Sequence, residues 1–549
     1  MSFGLLSLLP SMVAIILAIV TRRVIASLGL AVVVGAALLA WKLPLAADEP
    51  QRSGIVRGAQ FLWHHIYQSL FDADHISVLQ FSLLLGAMIG VLEASRSMQA
   101  LMRQLAARAS GRRGGQTLVA GLGLGIFFDD YANTLLLGGT MRSVCDTLRI
   151  SRAKLAYLVD STAAPVAGLA LVSTWVATEV SLIGEGLPPD SSVTAFELFV
   201  QSIAYRFYPI FALLLVFIIA RSGRDFGPML RAERAALEQP GATAGNSAAP
   251  NNSASPDKSA ASDKSAAEDD AGLWVWFAAL LPVVVCVATV AGVLVSTGLE
   301  AVADQPGERP TGLQGWGEIL GNADSYQALT TAGKVGLLTA LVMGFLSHPQ
   351  LATLRTLLWG VVRGAWQIMP AMLVLWLAWA LSSMTAEDQL NTGGYLGEVL
   401  SDRLPGVLLP TLVFLVASLV AFSTGTSWGT MALLTPLAVQ LGLQMAVADS
   451  QASLLAATTG SVLAGAIFGD HCSPISDTTV LSSRACGCDH VEHVRTQMPY
   501  AALAAAVAIL LGTLPAAWGL SPWLSIVAGA VVLYASVRVL GRRVEEPSR

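Results

Sequence analysis

Hydrophobic residues run through this chain in blocks. Windows of about twenty residues are almost purely apolar at 3–20, 24–43, 273–298 and 498–518, each long enough to cross a bilayer core as a helix. A soluble amphipathic helix would show a polar face at every turn, and blocks without one predict helices surrounded by lipid or other helices. Residues 1–20 carry no basic stretch ahead of the apolar run, so they read as a first spanning helix and not as a signal peptide.

Two blocks are interrupted by polar runs, GIFFDDYANTLLLGG at 125–139 and GAIFGDHCSPISDTTVLSS at 465–483. An aspartate at the centre of a membrane helix costs roughly 2.5–3.5 kcal/mol, so Asp129, Asp130, Asp470 and Asp477 together would cost about 10–14 kcal/mol. Packing does not require such residues, and inside a membrane they mark ion or proton paths.

Loop charges set the topology. Basic residues cluster in alternate loops, at Arg22 and Arg23, Arg96–Arg113, Arg142–Lys154, Arg221–Arg234, Arg355 and Arg363, Arg484 and Arg495, and Arg538–Arg543, which the positive-inside rule places in the cytoplasm. Loops 176–197 and 299–327 are acid-rich, with Glu179, Glu185, Asp190, Glu300, Asp304 and Glu318, and are expected outside. Segment 115–140 has basic loops on both sides, so both its ends lie inside, as only a re-entrant hairpin allows. Segment 405–445, with the tip FSTGTSWGT, needs both ends outside and reads as a second hairpin from the opposite face. Backbone of this kind is tolerated at depth only when buried in protein or lining a water-filled cavity.

The expected fold is an all-α polytopic membrane protein with about eleven transmembrane helices plus two re-entrant hairpins, the N-terminus outside and the C-terminus inside. Residues 239–271 are rich in Ser, Ala, Asp, Lys and Asn without aromatics, the composition of a disordered cytoplasmic linker. It separates two membrane halves, 1–238 and 272–549. The halves echo each other. Phe128-Asp-Asp-Tyr-Ala-Asn-Thr134 precedes Asp160-Ser-Thr-Ala-Ala-Pro165, and Phe422-Ser-Thr-Gly-Thr-Ser-Trp428 precedes Asp470-His-Cys-Ser-Pro474. With hairpins entering from opposite faces, this is the pattern of two inverted-topology repeats meeting near the midplane.

Composition agrees with a membrane protein and excludes a soluble one: 54% of the 549 residues are hydrophobic and 13% charged, where soluble domains carry about 25% charge. No cofactor and no nucleic-acid partner is expected. The five cysteines form no disulfide framework. Cys486, Cys488, His490 and His493 lie close together but match no standard zinc spacing, and the stretch reads as a solvated loop without a structural metal.

Pro165 and Pro474 each remove a backbone donor and predict broken helices around 160–166 and 470–478. Freed carbonyls, hydroxyls and carboxylates then make an oxygen cage for a small hard cation. The candidates are Asp129, Asp130, Asn133, Thr134, Asp160, Ser161, Thr162, Thr426, Ser427, Asp470, His471, Ser473, Ser476, Asp477 and Thr478. Neighbouring carboxylates away from water resist ionising together, so proton and cation binding exclude each other, which is the basis of antiport. Competing readings exist for several of these. One of Asp129 and Asp130 can be a structural partner for a hairpin amide or an arginine, Asp160 a helix cap or interfacial acid, and His471 a hydrogen-bonded structural histidine. Arg206 reads as a snorkelling residue or the partner of a buried acid. His64, His65, Asp72, Asp74 and His75 read as a solvated interfacial helix.

The motifs FFDDYANTLLLGGTMR (127–142), KLAYLVDSTAAPVAGLALVSTW (154–175) and IFGDHCSPISDTTVLSS (467–483), continuing into GCDHVEHVRTQMPYA, resemble the signatures of the NhaC-type Na+/H+ antiporters of the ion transporter superfamily. The resemblance implies a multi-pass exchanger of the bacterial inner membrane that couples sodium to protons. It further implies a homodimer in lipid and an elevator-like movement of a transport domain. Some relatives in that superfamily exchange organic acids such as malate for lactate, so exchange of a small organic acid or amino acid is the alternative. The aspartates repel an organic dianion, by about 3 kcal/mol per carboxylate pair 6 Å apart at an effective dielectric near 20, and neither tip carries Arg or Lys. An intramembrane aspartyl protease is disfavoured because no GxGD-type run is present. Two acid-lined hairpins from opposite faces also suit alternating access better than a passive pore.

Overall fold

A computed structural model describes residues 3–21, 23–42, 54–106, 111–188, 191, 193–238, 273–303, 319, 323–347, 350–386, 388–401, 405–445 and 451–545. The expected linker 239–271 and most of the acid-rich stretch 299–327 lie outside the described residues. Among the described residues ten helices are long and apolar enough to cross a membrane. The count differs from eleven for three reasons. Residues 4–18 form a shorter apolar helix, the run after Lys154 is broken in two, and the hairpin arm Gly406–Thr424 is itself of spanning length. The one strand pairing among the described residues is antiparallel, Arg224–Asp225 against Arg542–Arg543.

Around the polar centre lie α1 (Ala73–Ala94), α2 (Gly111–Gly125), α3 (Asp130–Thr147), α4 (Arg152–Ala167), α5 (Thr174–Gly186) and α6 (Phe207–Ser222) from the first half. The second half supplies α7 (Leu351–Thr385), α8 (Leu409–Thr424), α9 (Ser427–Met445), α10 (Gln451–Cys472), α11 (Asp477–Cys486) and α12 (His490–Val507). Each half contributes a helix–tip–helix pair, α2/α3 and α8/α9, and a helix–break–helix pair, α4/α5 and α10/α11. The first break lies at 168–173 and not at the expected 160–166. Pro165 stays inside α4, and the helix ends only where Gly168 and the Ser173 cap of α5 stop it. The second break, 473–476, falls within the expected range.

Glycine brings the scaffold helices into backbone contact. A Cβ on Gly90 would lie 2.1 Å from the Gly360 carbonyl oxygen, and one on Gly364 would lie 2.1 Å from that of Gly86. Gly86-x-x-x-Gly90 on α1 and Gly360-x-x-x-Gly364 on α7 therefore pack as facing small-residue seams, a device that replaces hydrophobic driving force inside lipid.

Several charged residues read as loop or surface groups are buried. Glu179, expected in an outside loop, lies in α5 with 1% exposure and pairs at 2.8 Å with Arg206, which is fully buried. Arg206 is thus the partner of a buried acid and does not snorkel. Lys154, expected in a basic cytoplasmic loop, is also fully buried and ion-paired with Asp225, which accepts a further bond from Tyr500. His75, expected on a solvated interfacial helix, stacks on Trp379 at 3.8 Å and bonds Glu185 at 2.8 Å and the Ser69 carbonyl at 2.6 Å. His65 is buried too, against Ser383. The physical reason is common to all five: a charge or ring inside a bundle is tolerated when paired, and pairing is invisible in a linear charge count.

Candidate functional site

Helices α3, α5, α9 and α11 begin at the tips and breaks, and α2, α4, α8 and α10 end there. Helix N-termini expose unpaired N–H groups and the positive end of the helix dipole, worth about 0.3–1 kcal/mol to a nearby carboxylate. Acids occupy two of these four starts, those of α3 and α11. Asp129 caps α3 by accepting the Ala132 N–H at 2.7 Å, Asp130 follows in its first turn, and Asp477 lies in the first turn of α11.

Each tip docks on the break of its own half. At the first, the Thr174 N–H donates to the Phe128 carbonyl at 2.9 Å, and the Thr174 hydroxyl donates to Asp129 Oδ2 at 3.1 Å. At the second, the Asp477 N–H donates to the Gly425 carbonyl at 3.2 Å, and the Ser473 hydroxyl donates to the Phe422 carbonyl at 2.7 Å. Gly425 makes this approach possible. Its φ is +71°, and a Cβ there would lie 2.5 Å from the Ile475 carbonyl oxygen, so only glycine fits without strain.

The two units then meet. The Tyr131 hydroxyl donates to Asp477 Oδ2 at 2.7 Å, the Thr479 hydroxyl to Asp160 Oδ2 at 3.3 Å, and Trp175 packs edge-on against Trp428 with ring centres 5.6 Å apart. Gln497 of α12 ties both halves by donating to Asp160 Oδ2 at 2.6 Å and to the His471 carbonyl at 3.0 Å.

The predicted residues divide by what their polar atoms already do. Asn133 spends its amide on the carbonyls of Gly123, Ile126 and Thr162, and Thr162 turns its hydroxyl back onto Leu158. Ser476 caps α11, and Thr426 accepts from the Gly429 N–H at 3.4 Å. Ser427 reaches the Ala466 carbonyl at 3.4 Å. These five hold the backbone in place. Asp129 combines its capping role with a place in a cavity wall. Asp160 is neither a cap nor interfacial: it is fully buried inside α4, and Ser151 caps that helix. Thr478 donates to Asp470 Oδ2 at 2.7 Å, and His471 meets the Tyr208 hydroxyl at 2.9 Å through Nδ1. Thr134 and Ser161 are buried beside Asn133 and Asp160 along the chain.

Other polar atoms stay open. Both carboxylate oxygens of Asp130, one of Asp160 and one of Asp470 are buried without a hydrogen-bond donor. A buried ionised oxygen without a partner costs several kcal/mol, and a proton or a cation bound at such a group removes that cost. Beside them lies a cavity of about 850 Å³ whose wall includes Arg23, Glu93, Asp129, Tyr131, Trp428 and Asp477. Arg23 is a cation that a tip-by-tip reading does not find near the acids.

The stretch 486–493 is not a solvated loop. Cys486 and His493 are fully buried, His493 lies 3.5 Å from Asp160 and bonds Ser482 at 3.1 Å, and His490 bonds the Pro474 carbonyl at 2.6 Å. Among the described residues no group of three or more His, Cys, Asp or Glu can hold a metal ion. Sequence reasoning passed over Tyr131, Thr479, His493, Gln497 and Glu93. His493 and Gln497 stand four apart on one helix face, a polar stripe that could have been read. Glu93 is an acid inside an apolar span, which is a signal in itself.

Comparison with known proteins places the chain among membrane transporters. A protein of Haemophilus influenzae described as uncharacterized is 32% identical over 515 residues, covering 91% of this chain and 88% of its own. The malate-2H(+)/Na(+)-lactate antiporter of Bacillus subtilis is 38% identical over 92 residues, 17% of this chain and 18% of that one. The solved structure of Neisseria gonorrhoeae MtrF, described as illuminating a class of antimetabolite efflux pumps, aligns over 95% of both chains at a TM-score of 0.54 and 14% identity, a likeness of fold alone. The profile of the Na+/H+ antiporter family matches residues 166–515; the chain belongs to that family, as a multi-pass membrane protein and a secondary transporter.

Proposed function

We propose that this protein exchanges Na+, and Li+ where it fits, for H+ across the bacterial cytoplasmic membrane, serving sodium and pH homeostasis. The observation that carries the reading is the set of open oxygens on Asp130, Asp160 and Asp470 in a buried site. Each is neutralised by a proton or by a hard cation, never both, so loading one expels the other. Asp129 and Asp477 stand at the cavity wall and deliver the ion to the buried three. Thr478, Ser473 and the break carbonyls supply neutral oxygen ligands. The halves 1–238 and 272–549 act as inverted repeats that alternate access, in a homodimer, with the 239–271 linker and the C-terminus in the cytoplasm.

A second reading has one observation in its favour. Arg23 in the wall of a cavity of about 850 Å³ offsets the repulsion that the acids exert on an organic anion, and a bare sodium ion fills little of that space. On this reading sodium binds at the aspartates and a small organic acid or amino acid occupies the cavity.

Proteoliposomes carrying a pH-sensitive dye separate the two. Addition of NaCl alone is expected to change internal pH, with the response lost in Asp470→Asn and Asp130→Asn. A response that requires malate or another organic acid together with NaCl rejects simple Na+/H+ exchange and favours the second reading.

A further inference from the structure

Two cavities meet at one side chain that neither the motifs nor the tips include. The cavity of about 850 Å³ holds Asp129, Tyr131 and Asp477 in its wall. A second, of about 900 Å³, is lined by Arg96, Thr140, Ser143, Thr356 and Arg363. Glu93 and Leu135 stand in the walls of both. Arg363 lines the second cavity beside Glu93, and Asp129 lines the first.

The position of Glu93 is not adjustable. It lies less than one turn beyond Gly90, where α1 touches the α7 backbone through Gly360 and Gly364, and that contact fixes the rotation and depth of α1. The opposite end of α1 is pinned to α5, because His75 bonds Glu185 at 2.8 Å and stacks on Trp379, while Trp379 donates to Ser181 of α5 at 2.8 Å. One end of α1 is thus tied down, and the other borders open space lined by two arginines.

We propose that Glu93 is the relay residue of a one-sided path, in which protons and cations enter from the Arg96–Arg363 cavity and reach Asp129 and Asp477 by way of its carboxylate. The inference rests on the proton and cation exchange reading. The proton leaves water in the outer cavity and binds the Glu93 carboxylate. It then passes to the Asp129 or Asp477 carboxylate, which leaves Glu93 ionised for the next transfer, and no further reactant is needed. A cation follows the same order without bond making. The charged groups facing the relay are Arg363 and Arg96 from the outer cavity and Asp129 and Asp477 from the inner one.

Two measurements test this, one independent of which ion is carried. In a Cys488→Ser background, which removes the half-buried native thiol, Ser143→Cys, Thr140→Cys and Leu135→Cys in the full chain are treated with a membrane-impermeant thiol reagent. Labelling is expected from one side of the vesicle only, and a Glu93→Trp plug is expected to protect Leu135→Cys while leaving Ser143→Cys reactive. Labelling from neither side, or from both equally, overturns the path. In proteoliposomes Glu93→Gln is expected to slow Na+-driven proton flux by about 10²-fold, the usual scale for removing a positioned acid–base group. It should also flatten the dependence on pH of the outer-cavity compartment, while equilibrium binding of radioactive Na+ to the solubilised protein persists and Glu93→Asp restores the profile. A Glu93→Gln protein with the wild-type rate and pH profile overturns the relay. Wild-type protein without Na+-driven proton flux would instead reject the exchange reading, and the labelling result would still decide the path.

Discussion

The two tip-and-break units share a layout and differ in what holds them. At the first break the C-terminal carbonyl of α4, on Gly168, takes the Arg206 guanidinium, and Glu179 balances the charge. Asp129 is spent on the Ala132 N–H and the Thr174 hydroxyl. At the second break the equivalent carbonyl, on His471, takes the neutral amide of Gln497, and hydroxyls of Ser473, Ser476 and Thr478 do the rest. One unit is pinned by permanent charge and the other by neutral dipoles. Near the second, one oxygen each of Asp160, Asp470 and Gln497 and one nitrogen of His471 remain open. A break held by dipoles accommodates a change of charge at Asp470 without breaking an ion pair, which is what a site that loads and releases ions requires. The first unit supplies a wall held by the Arg206–Glu179 pair, with open carboxylate oxygens on Asp130 and Asp160. The two units are therefore asymmetric despite the repeated layout.

Breaking the permanent charge should have the largest effect. Arg206→Leu leaves Glu179 buried and uncompensated, and loss of one partner of a buried pair costs about 3–5 kcal/mol. A thermal melt in detergent is expected to show a strong drop. The double variant Arg206→Leu/Glu179→Leu should recover much of it, and no recovery would place the role of Arg206 in capping Gly168 and not in charge balance. Next comes the joint between units. Tyr131→Phe removes a hydrogen bond to a carboxylate, worth about 1.5–3 kcal/mol, and should reduce ion exchange more than it lowers the melting temperature. Gly425→Ala forces a Cβ onto the Ile475 carbonyl and a left-handed backbone onto alanine, a strain of about 1–3 kcal/mol. It should open tip 2 from its break and impair exchange, whereas alanine at Gly121, which meets nothing within 4 Å, should not.

The smallest effect is expected at the rear of the first unit. Both ring nitrogens of His75 face acceptors, the Ser69 carbonyl and Glu185, so the pair holds a proton whichever residue carries it. His75→Phe keeps a ring on Trp379 while losing the bond to Glu185, and should slow exchange less than the changes above. It should also remove a pH dependence of exchange confined to the compartment on that side, measurable by titrating each side of the vesicle separately.

Much of the site was readable along the chain. The aspartates, the hydroxyls between them, the two tips and the second break all stand out because polar residues in apolar blocks have no bland explanation. The first break was misplaced because proline, the residue used to find it, is tolerated inside α4, and Gly168 with Ser173 ends the run instead. Glu179 and Lys154 were assigned to loops because both lie near the ends of apolar blocks, where a linear charge count cannot tell a solvated residue from a paired one. The stretch 486–493 looked solvated because its polarity is high, yet its histidines and Gln497 turn inward on one face of α12.

The sequence by itself determined the class of the molecule: helical, membrane-embedded, acid-bearing at depth and built from two related halves. Those properties follow from composition and periodicity, which local chemistry dictates without regard to the rest of the chain. Only the tertiary structure decided which acids are spent as caps and which stay open, that Arg206 and Gln497 hold the two breaks in different ways, and that Glu93 stands where two cavities join. The ties that hold the breaks and join the units reach across 26 to 346 residues of sequence, and a pairing at that separation is set by how helices pack and not by any residue's own preference.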